Sequence, residues 1–378
     1  MNYLNNFSGD VNILTDSMRQ IAEKIAELSE REIGEPNIKE FKPDKLDKNR
    51  FYEIPSTHTS RKIACIDGGN QELLTTPEFS AQLNRVYFNI FKDKKRVPIE
   101  SDIPQKIEFL SLTTTKFGKN KIYFETSISP IDDEFNEYLP NETKLTSSEV
   151  DEKVSATSKE GMERVASKAR RCTEWIIAKR LLDMELDSGD IIIRDGSLQV
   201  GHSRENEYVN KLFNKAIDDG IILTGLSKTC RLTTTTQLSI IAAIQRLSRE
   251  TKLKSSKWVY YPIAEMKKSE PKPLMMVVKM SKFAYSPFRF EMLNKQANEL
   301  GRNSILDIIS SIAKQSNDLS LPGYPYGLFD ADRWARVTNE EIESYKTRFY
   351  SEISKTGIWD DLKYNIRAID LHDKLDSM

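Results

Sequence analysis

Two short segments of the 378-residue sequence end in the same way, and each offers a carboxylate for chemistry. IACIDGGN places Asp67, and IIIRDGSL places Asp195, directly after an apolar run and before a glycine. Because α/β sheets bind ligands at the carboxyl ends of their parallel strands, we expect both aspartates at one such edge. There Gly68 and Gly69 would let a phosphate-bearing ligand approach the backbone. Asp-Gly is also a common turn pair, so a single example would indicate only a strand-to-turn junction.

A third carboxylate is predicted from the length of the helix that precedes the second of these strands. The strand ending at Asp195 covers roughly 20 Å, and a helix retraces that distance in about 14 residues. Counting back from a helix end near residue 185 reaches about residue 171, and Glu174 is the nearest acid. An acid on a partly apolar helix face is costly unless it is paired or bound to metal. Glu174 is therefore predicted as a metal ligand, with a surface acid as the alternative.

Carboxylates clustered in this way repel one another unless a cation lies between them. Oxygen ligands suit Mg²⁺ or Mn²⁺, and two ions about 4 Å apart would clamp an in-line phosphodiester displacement. The composition favours such a site over histidine or zinc chemistry, since there are only three histidines and three scattered cysteines without a CxxC pair.

Lys228 follows a further apolar run, GIILTGLSK, and could bind a phosphate of DNA, with an ordinary surface lysine as the alternative.

The elements that must position these residues are buried apolar runs alternating with helices, a pattern typical of an α/β sheet with parallel strands. Strands are predicted at 62–67, 85–91, 106–112, 121–128, 190–195, 220–226, 258–263, 274–280 and 288–292. Helices are predicted at 10–31, 159–186, 205–218, 236–250, 301–315 and 330–354. The acidic segment 131–158 is predicted to be a loop, and residues 33–60 an irregular linker.

Residues 246–295 carry 12 Lys or Arg against 4 Asp or Glu, a local net charge of +8 in a chain whose net charge is −1. Aromatic residues are interleaved with these charges, which is how single strands of nucleic acid are commonly held. We therefore predict a DNA-binding segment that includes Trp258, Tyr261 and Arg289. About half or more of its aromatic residues should belong to the core, and a solvated charged face is the alternative.

The predicted helix at 10–31 has one apolar stripe, formed by Leu14, Met18, Ile21, Ile25 and Leu28. Its position before a proline-bearing linker favours contact with a partner or a second subunit, and packing on its own domain is the alternative. No apolar run approaches the ~18 residues that span a bilayer. The N-terminus also lacks the basic and apolar regions of a signal peptide, so we expect a cytoplasmic protein without membrane association.

The ordered motifs IACIDGGN, IIIRDGSL, GLSK and GYPYGLFDAD together resemble the NurA nuclease family, from about residue 62 to residue 340. The resemblance implies an α/β fold with an RNase H-like mixed sheet core flanked by helices, with an N-terminal helix and C-terminal helical additions. It implies a homodimeric, manganese-preferring 5′–3′ nuclease that works with a HerA-type hexameric ATPase on single- and double-stranded DNA ends. Residues 1–60 would form the N-terminal helix and linker, 61–340 the nuclease domain with a β insertion at 246–295, and 341–378 a helical extension.

The family's two strand aspartates, helix acid and motif lysine correspond here to Asp67, Asp195, Glu174 and Lys228. Its last motif usually ends in an Ala-His pair, and GYPYGLFDAD has Asp332 in place of the histidine. A carboxylate is also a competent oxygen ligand, so Asp332 is predicted as a further metal ligand. Asp330 is predicted to cap the helix that follows, because acids are favoured in a first helical turn.

The residues leave two other classes of protein open. Phosphotransferases and ATPases of the actin and sugar-kinase class share this sheet topology and use Asp-Gly turns around phosphates. The sequence has no P-loop GxxxxGK[ST], but nucleotide binding stays an alternative. A DNA-binding module whose active site has decayed is the other alternative, and the retained acids argue against it.

Overall fold

The structure is a computed structural model that describes residues 7–29, 32–38, 41–156, 158–253, 255–266, 273–358 and 362. Its helices are α1 (Phe7–Ser29), α2 (Glu142–Leu145), α3 (Glu149–Glu152), α4 (Lys159–Ala166), α5 (Lys168–Met184), α6 (Asn206–Asp218), α7 (Ile240–Ser248), α8 (Asn294–Ala313), α9 (Tyr326–Ala335) and α10 (Asn339–Lys355), with 3₁₀ helices at Lys48–Arg50 and Asp133–Tyr138. Its strands are β1 (Pro36–Asn37), β2 (Phe41–Pro43), β3 (Phe51–Glu53), β4 (Lys62–Thr75), β5 (Phe79–Lys92), β6 (Lys95–Arg96), β7 (Lys106–Phe117), β8 (Ile122–Pro130), β9 (Ser147–Ser148), β10 (Ile191–Asp195), β11 (Ile222–Ser227), β12 (Thr233–Thr234), β13 (Trp258–Met266), β14 (Pro273–Lys279) and β15 (Phe288–Leu293).

One large mixed sheet organises the described residues, in the order β2-β13-β14-β15-β11-β10-β4-β5-β7-β8-β9. Strands β4, β10 and β11 run parallel, with Ile191 opposite both Ile63 and Ile222. Strands β5 and β7 continue antiparallel from β4, and β15, β14 and β13 continue antiparallel from β11. The central order β7-β5-β4-β10-β11 is an RNase H-like mixed sheet, so the predicted fold class is confirmed.

Helices cover both faces of the parallel strands, because these strands are apolar on both faces. Residues 191–193 of β10 are fully buried. On one face α5 and α6 pack through Trp175 and Phe213, whose rings meet edge to face at 6.1 Å. On the other face α8 and α9 pack through Ile309 and Leu328. This double cover leaves the ends of the strands as the accessible part of the central sheet.

Strand β4 does not end at the glycine pair as predicted but continues to Thr75, paired with β5. The glycines stay within the strand because two helices cross it there. A Cβ on Gly68 would lie 2.4 Å from Glu174 Oε1, and one on Gly69 would lie 2.3 Å from the backbone oxygen of Ala335. On the side where a Cβ would lie, α5 therefore covers Gly68 and α9 covers Gly69, and the approach of a phosphate to these glycines stays a prediction.

Several predicted helix boundaries also differ from those observed. The helix predicted at 159–186 is divided into α4 and α5 by a turn at Ser167, and the one predicted at 330–354 is divided into α9 and α10. The segment predicted as a loop at 131–158 contains α2, α3 and a 3₁₀ helix. Helix α3 begins with a capping box between Ser148 and Asp151. Such short helices depend on their caps, which a search for apolar periodicity does not detect.

Helix α1 confirms the helix predicted near the N-terminus. Met18, Ile21 and Ile25 of its predicted stripe are all exposed, by 59%, 58% and 59%. These three side chains therefore do not pack into the core of the chain that carries them. No helix in the described part of the chain is both long and apolar enough to cross a membrane.

Candidate active site

Three predicted site residues meet at the carboxyl edge of the parallel strands. An oxygen atom of Asp67, one of Asp195 and one of Asp332 all lie within 4.8 Å of one another. Asp67 lies within β4 and Asp195 ends the adjacent parallel strand β10, which explains why these two converge. Asp332 comes from α9. This helix can lie close to β4 because Gly327 has no side chain, and a Cβ there would be 2.5 Å from Cys65 Sγ.

Lys228 lies among these carboxylates, just after β11. Its Nζ is 2.6 Å from Asp195 Oδ2, 2.6 Å from Asp332 Oδ1 and 3.7 Å from Asp67 Oδ2. Burial would lower the pKa of Lys228, but the carboxylates, led by Asp195, outweigh burial and raise it. Three carboxylates against the Lys228 ammonium and the Arg336 guanidinium leave a net negative charge, which favours a bound cation.

Asp67 carries the largest electrostatic cost in this cluster. Burial raises the pKa of Asp67 well above its usual range, and the charges of Asp195 and Glu174 raise it further. Lys228 and Arg170 act in the opposite direction without cancelling the shift. A carboxylate that is reluctant to ionise gains much from a bound cation, because the cation stabilises its charged form.

Glu174 lies beside β4, as the helix-length argument predicts, but its carboxylate faces two arginines. Oε1 accepts a hydrogen bond from Arg170, and Oε2 forms an ion pair with Arg194. Arg170 also donates to the backbone oxygen of Gly68 at 2.8 Å. Among the described residues, the group of acids suited to a metal contains the three aspartates and not Glu174. The ligand role of Glu174 therefore stays a prediction, and its observed partners are arginines.

Asp330 does not cap α9. This helix begins at Tyr326, so Asp330 lies in its second turn, and Pro325 occupies the capping position. The Asp330 carboxylate accepts a hydrogen bond from Asn89 Nδ2 at 2.8 Å and pairs with Arg96. The predicted capping role is wrong because the helix starts earlier than the sequence pattern indicated, and Asp330 instead ties α9 to β5 and β6.

Asp332 faces the site, as predicted. Besides Lys228, it accepts a hydrogen bond from Arg336 at 2.7 Å. Burial would raise the pKa of Asp332, but the two basic side chains outweigh burial and lower it. Asp332 is therefore held in its charged form, which is the form that binds a cation.

Tyr324 is a site residue that the sequence reasoning missed. Its ring is buried under the site, with the Lys228 ammonium 5.4 Å from the ring centroid. Burial raises the pKa of the Tyr324 hydroxyl well above its usual range, and the nearby carboxylates of Asp195 and Asp67 raise it further. The hydroxyl therefore stays protonated and can donate a hydrogen bond. Its only signal in the sequence was its place in the GYPYG motif.

Of the residues predicted to bind DNA within 246–295, Trp258 offers no stacking surface. Trp258 is fully buried and meets the ring of Phe51 edge to face at 5.0 Å, so no face is left for a base and that prediction is wrong. Tyr261 is partly buried against the core. Four lysines of this segment lie outside the described residues, namely Lys254, Lys267, Lys268 and Lys272.

Arg289 lies close to the site but is committed to internal contacts. It is 9% exposed, pairs with Glu291 and donates to Ser197 Oγ at 3.4 Å. Glu291 in turn accepts from the backbone N–H of Leu198 at 2.8 Å. These bonds hold the loop that follows Asp195, which is a positioning role different from the predicted contact with DNA.

Several solved structures are distantly similar to this chain. A crystal structure of NurA shares 9% identity at a TM-score of 0.38, covering 92% of this chain and 98% of that one. Endonuclease V from Ciona intestinalis, in complex with inosine-containing DNA, shares 10% identity at a TM-score of 0.34, covering 86% and 99%. The catalytic domain of human endonuclease V shares 9% identity at 0.34, covering 85% and 95%.

Comparison of the sequence with protein families shows a closer relationship. No curated protein sequence is significantly similar to this chain. Residues 61–337, well over half of the chain, match the NurA domain family. The matched range contains β7, β5, β4, β10 and β11 and all the site residues described above, and it supports the predicted nuclease activity. The chain therefore belongs to the NurA family.

Proposed function

We propose that the protein is a metal-dependent nuclease that hydrolyses phosphodiester bonds of DNA at the cluster of Asp67, Asp195 and Asp332. The observation that carries this proposal is the convergence of three carboxylates within 4.8 Å at the carboxyl edge of the parallel strands. An all-oxygen donor set suits Mg²⁺ or Mn²⁺. Membership in the NurA family supports the same activity.

In this proposal the residues of the site have separate tasks. The three aspartates would hold two divalent ions, with Glu174 beside them if its arginines release it. Bound ions of this kind acidify a water molecule and stabilise a departing 3′ oxygen. Lys228 would bind a phosphate oxygen, and the position of its ammonium 2.6 Å from both Asp195 and Asp332 supports this role. The neutral hydroxyl of Tyr324 can donate a hydrogen bond to an anionic oxygen at the same place.

The resemblance to NurA nucleases supports finer features of the proposal. These are 5′–3′ exonuclease activity with single-strand endonuclease activity, a homodimer, a cytoplasmic location, and action with a HerA-type hexameric ATPase in DNA end resection during double-strand break repair. We also propose the domain division of an N-terminal helix and linker at 1–60, a nuclease domain at 61–340 and a helical extension at 341–378, of which residues 359–361 and 363–378 lie outside the described residues.

Digestion of end-labelled DNA tests this proposal. The wild-type protein is expected to degrade DNA with Mn²⁺ or Mg²⁺ and to be inactive in EDTA, and 5′ and 3′ labels report the direction. Asp67→Asn and Asp195→Asn should each abolish cleavage while the fold persists. Lys211→Asn, an exposed change on α6, is the matched control. Cleavage that persists in either aspartate variant, or ATP hydrolysis without DNA cleavage, would contradict the proposal.

A further inference from the structure

A groove lined by lysines lies at the amino end of β4, away from the carboxylate cluster. Two cavities, of about 620 Å³ and about 230 Å³, share Lys94 and Lys314 as walls and form this groove. The larger cavity adds Lys92 and Lys95 from the hairpin between β5 and β6. We call these two neighbouring cavities together the lysine groove.

The lysine groove carries more positive than negative charge, since four lysines line it against Asp93 and Asp318. Lys92, Lys94 and Lys95 are exposed, and none forms an ion pair with a residue in the described ranges. Lys314 lies 3.4 Å from Asp93, which faces the same cavity. Ammonium groups gathered around a concave surface create a field that attracts anions. The groove therefore suits a ligand that carries several negative charges.

The smaller cavity has the chemistry of a pocket for an aromatic base. Phe91 and Tyr326 line it, with their rings edge to face at 5.7 Å, and the ring of Tyr326 is 40% exposed. Gln315 also lines it and is 5% exposed, yet neither its amide nitrogen nor its amide oxygen has a hydrogen-bond partner among the described residues. A buried amide without partners is costly, and the edge of a nucleobase offers both the acceptor and the donor that it lacks.

The spacing between the groove and the carboxylate cluster fits a single strand of nucleic acid. Phe91 lies opposite Ile63 on β4, and Tyr87 lies opposite Asp67. These two levels of the sheet are four residues apart, about 13 Å. At about 3.4 Å per nucleotide, this distance corresponds to roughly four nucleotides or fewer.

We propose that the lysine groove binds the substrate strand a few nucleotides from the cleaved bond, with lysines on its phosphates and one base between Tyr326 and Gln315. The statement that this strand is the substrate rests on the proposed nuclease function. The chemistry recognised is a nucleotide, which a strand or a free mononucleotide can supply. The groove therefore gives the enzyme affinity for DNA outside its metal site.

Binding measured in EDTA tests this inference independently of cleavage. Fluorescence anisotropy of a labelled (dT)₁₂ strand is compared for wild type, Lys92→Glu/Lys94→Glu and Tyr326→Ala. Tyr326→Ala loses the base stacking, so its affinity for (dT)₁₂ should fall about fivefold or more. Tyr326→Phe should restore this affinity. Lys92→Glu/Lys94→Glu loses two phosphate contacts, so its slope of log affinity against log salt should be flatter than that of wild type by about 1.4. Lys119→Glu/Lys211→Glu is the control with the same change of charge at exposed positions outside the groove.

Four outcomes have distinct meanings. Weaker binding of (dT)₁₂ by both groove variants, with the control unchanged, supports the inference for a strand. Competition by dTMP that is lost in Tyr326→Ala supports the same pocket with a free nucleotide as a second source. Groove variants that bind (dT)₁₂ as tightly as the control, with the same salt slope, overturn it. DNA binding through the groove by a protein that never cleaves DNA would reject only the proposed function.

Discussion

At the scale of single residues, the site is governed by the cost of placing three carboxylates around one ammonium group. Asp67 bears most of this cost, because it is both buried and close to Asp195. Asp332 bears little of it, because Lys228 and Arg336 both hold it in its charged form. The two residues therefore call for different substitutions.

Asp67→Asn should make the metal-free protein more stable near neutral pH. The folded-state pKa of Asp67 is raised, so its favourable contribution is present at low pH and lost as the pH rises through that pKa. Removing the carboxylate should raise the melting temperature in EDTA at about pH 7, and the gain should shrink towards about pH 4. Thermal denaturation across this range measures the effect. A lower melting temperature at neutral pH would show that the ionised carboxylate stabilises the fold.

Asp332→His should shift the metal preference of cleavage towards Mn²⁺. A carboxylate is a harder ligand than an imidazole, so wild type should accept Mg²⁺ relatively better than the variant. Activity against metal concentration, for wild type, Asp332→His and Asp332→Ala, measures the shift. Full activity of the alanine variant would show that Asp332 is not a ligand.

At the scale of elements, the site depends on how closely α5 and α9 approach β4. The close approach is possible because Gly68 and Gly69 have no side chains where the helices cross. Glu174 meets β4 through α5, and Asp332 reaches Asp67 through α9. Gly68 thus lets α5 bring Glu174 up to β4, and Gly69 lets α9 bring Asp332 up to β4.

Gly69→Ala should weaken the fold, because its Cβ would lie 2.3 Å from a backbone oxygen of α9 that cannot rotate away. Overpacking of this kind lowers the free energy of unfolding by about 1–3 kcal/mol. Gly201→Ala is the matched control, since its Cβ would meet nothing closer than 3.7 Å. Urea denaturation of both variants checks the difference. Equal stability would mean that α9 can move away from β4 without cost.

At the scale of the whole molecule, charge and apolar surface are unevenly distributed. The net charge is only −1, so affinity for DNA has to come from local surfaces such as the lysine groove. Helix α1 carries exposed apolar side chains at Met18, Ile21 and Ile25, which follow the spacing of a helix-packing stripe. An exposed stripe of this kind is typical of a contact between chains.

Deleting residues 1–32 should abolish dimerisation or association with an ATPase partner while basal nuclease activity persists. The reason is that the exposed residues of α1 do not pack into the core of their own chain. Ile21→Glu/Ile25→Glu should have the same effect, with Gln20→Glu on the same helix as its control. Light scattering gives the mass, and DNA digestion gives the activity. A deletion variant that does not fold would instead indicate packing of α1 on its own domain.

The sequence by itself determined the positions of the longer strands, the presence of helices between the parallel strands and the convergence of Asp67 and Asp195. These features follow from local patterns, because apolar runs define buried strands and adjacent parallel strands end at one edge. Only the tertiary structure decided which distant side chains share a space. It gave Glu174 two arginine partners, placed Tyr324 under the site and buried Trp258. A local pattern specifies which face a residue occupies, but its neighbours on that face come from segments far away along the chain.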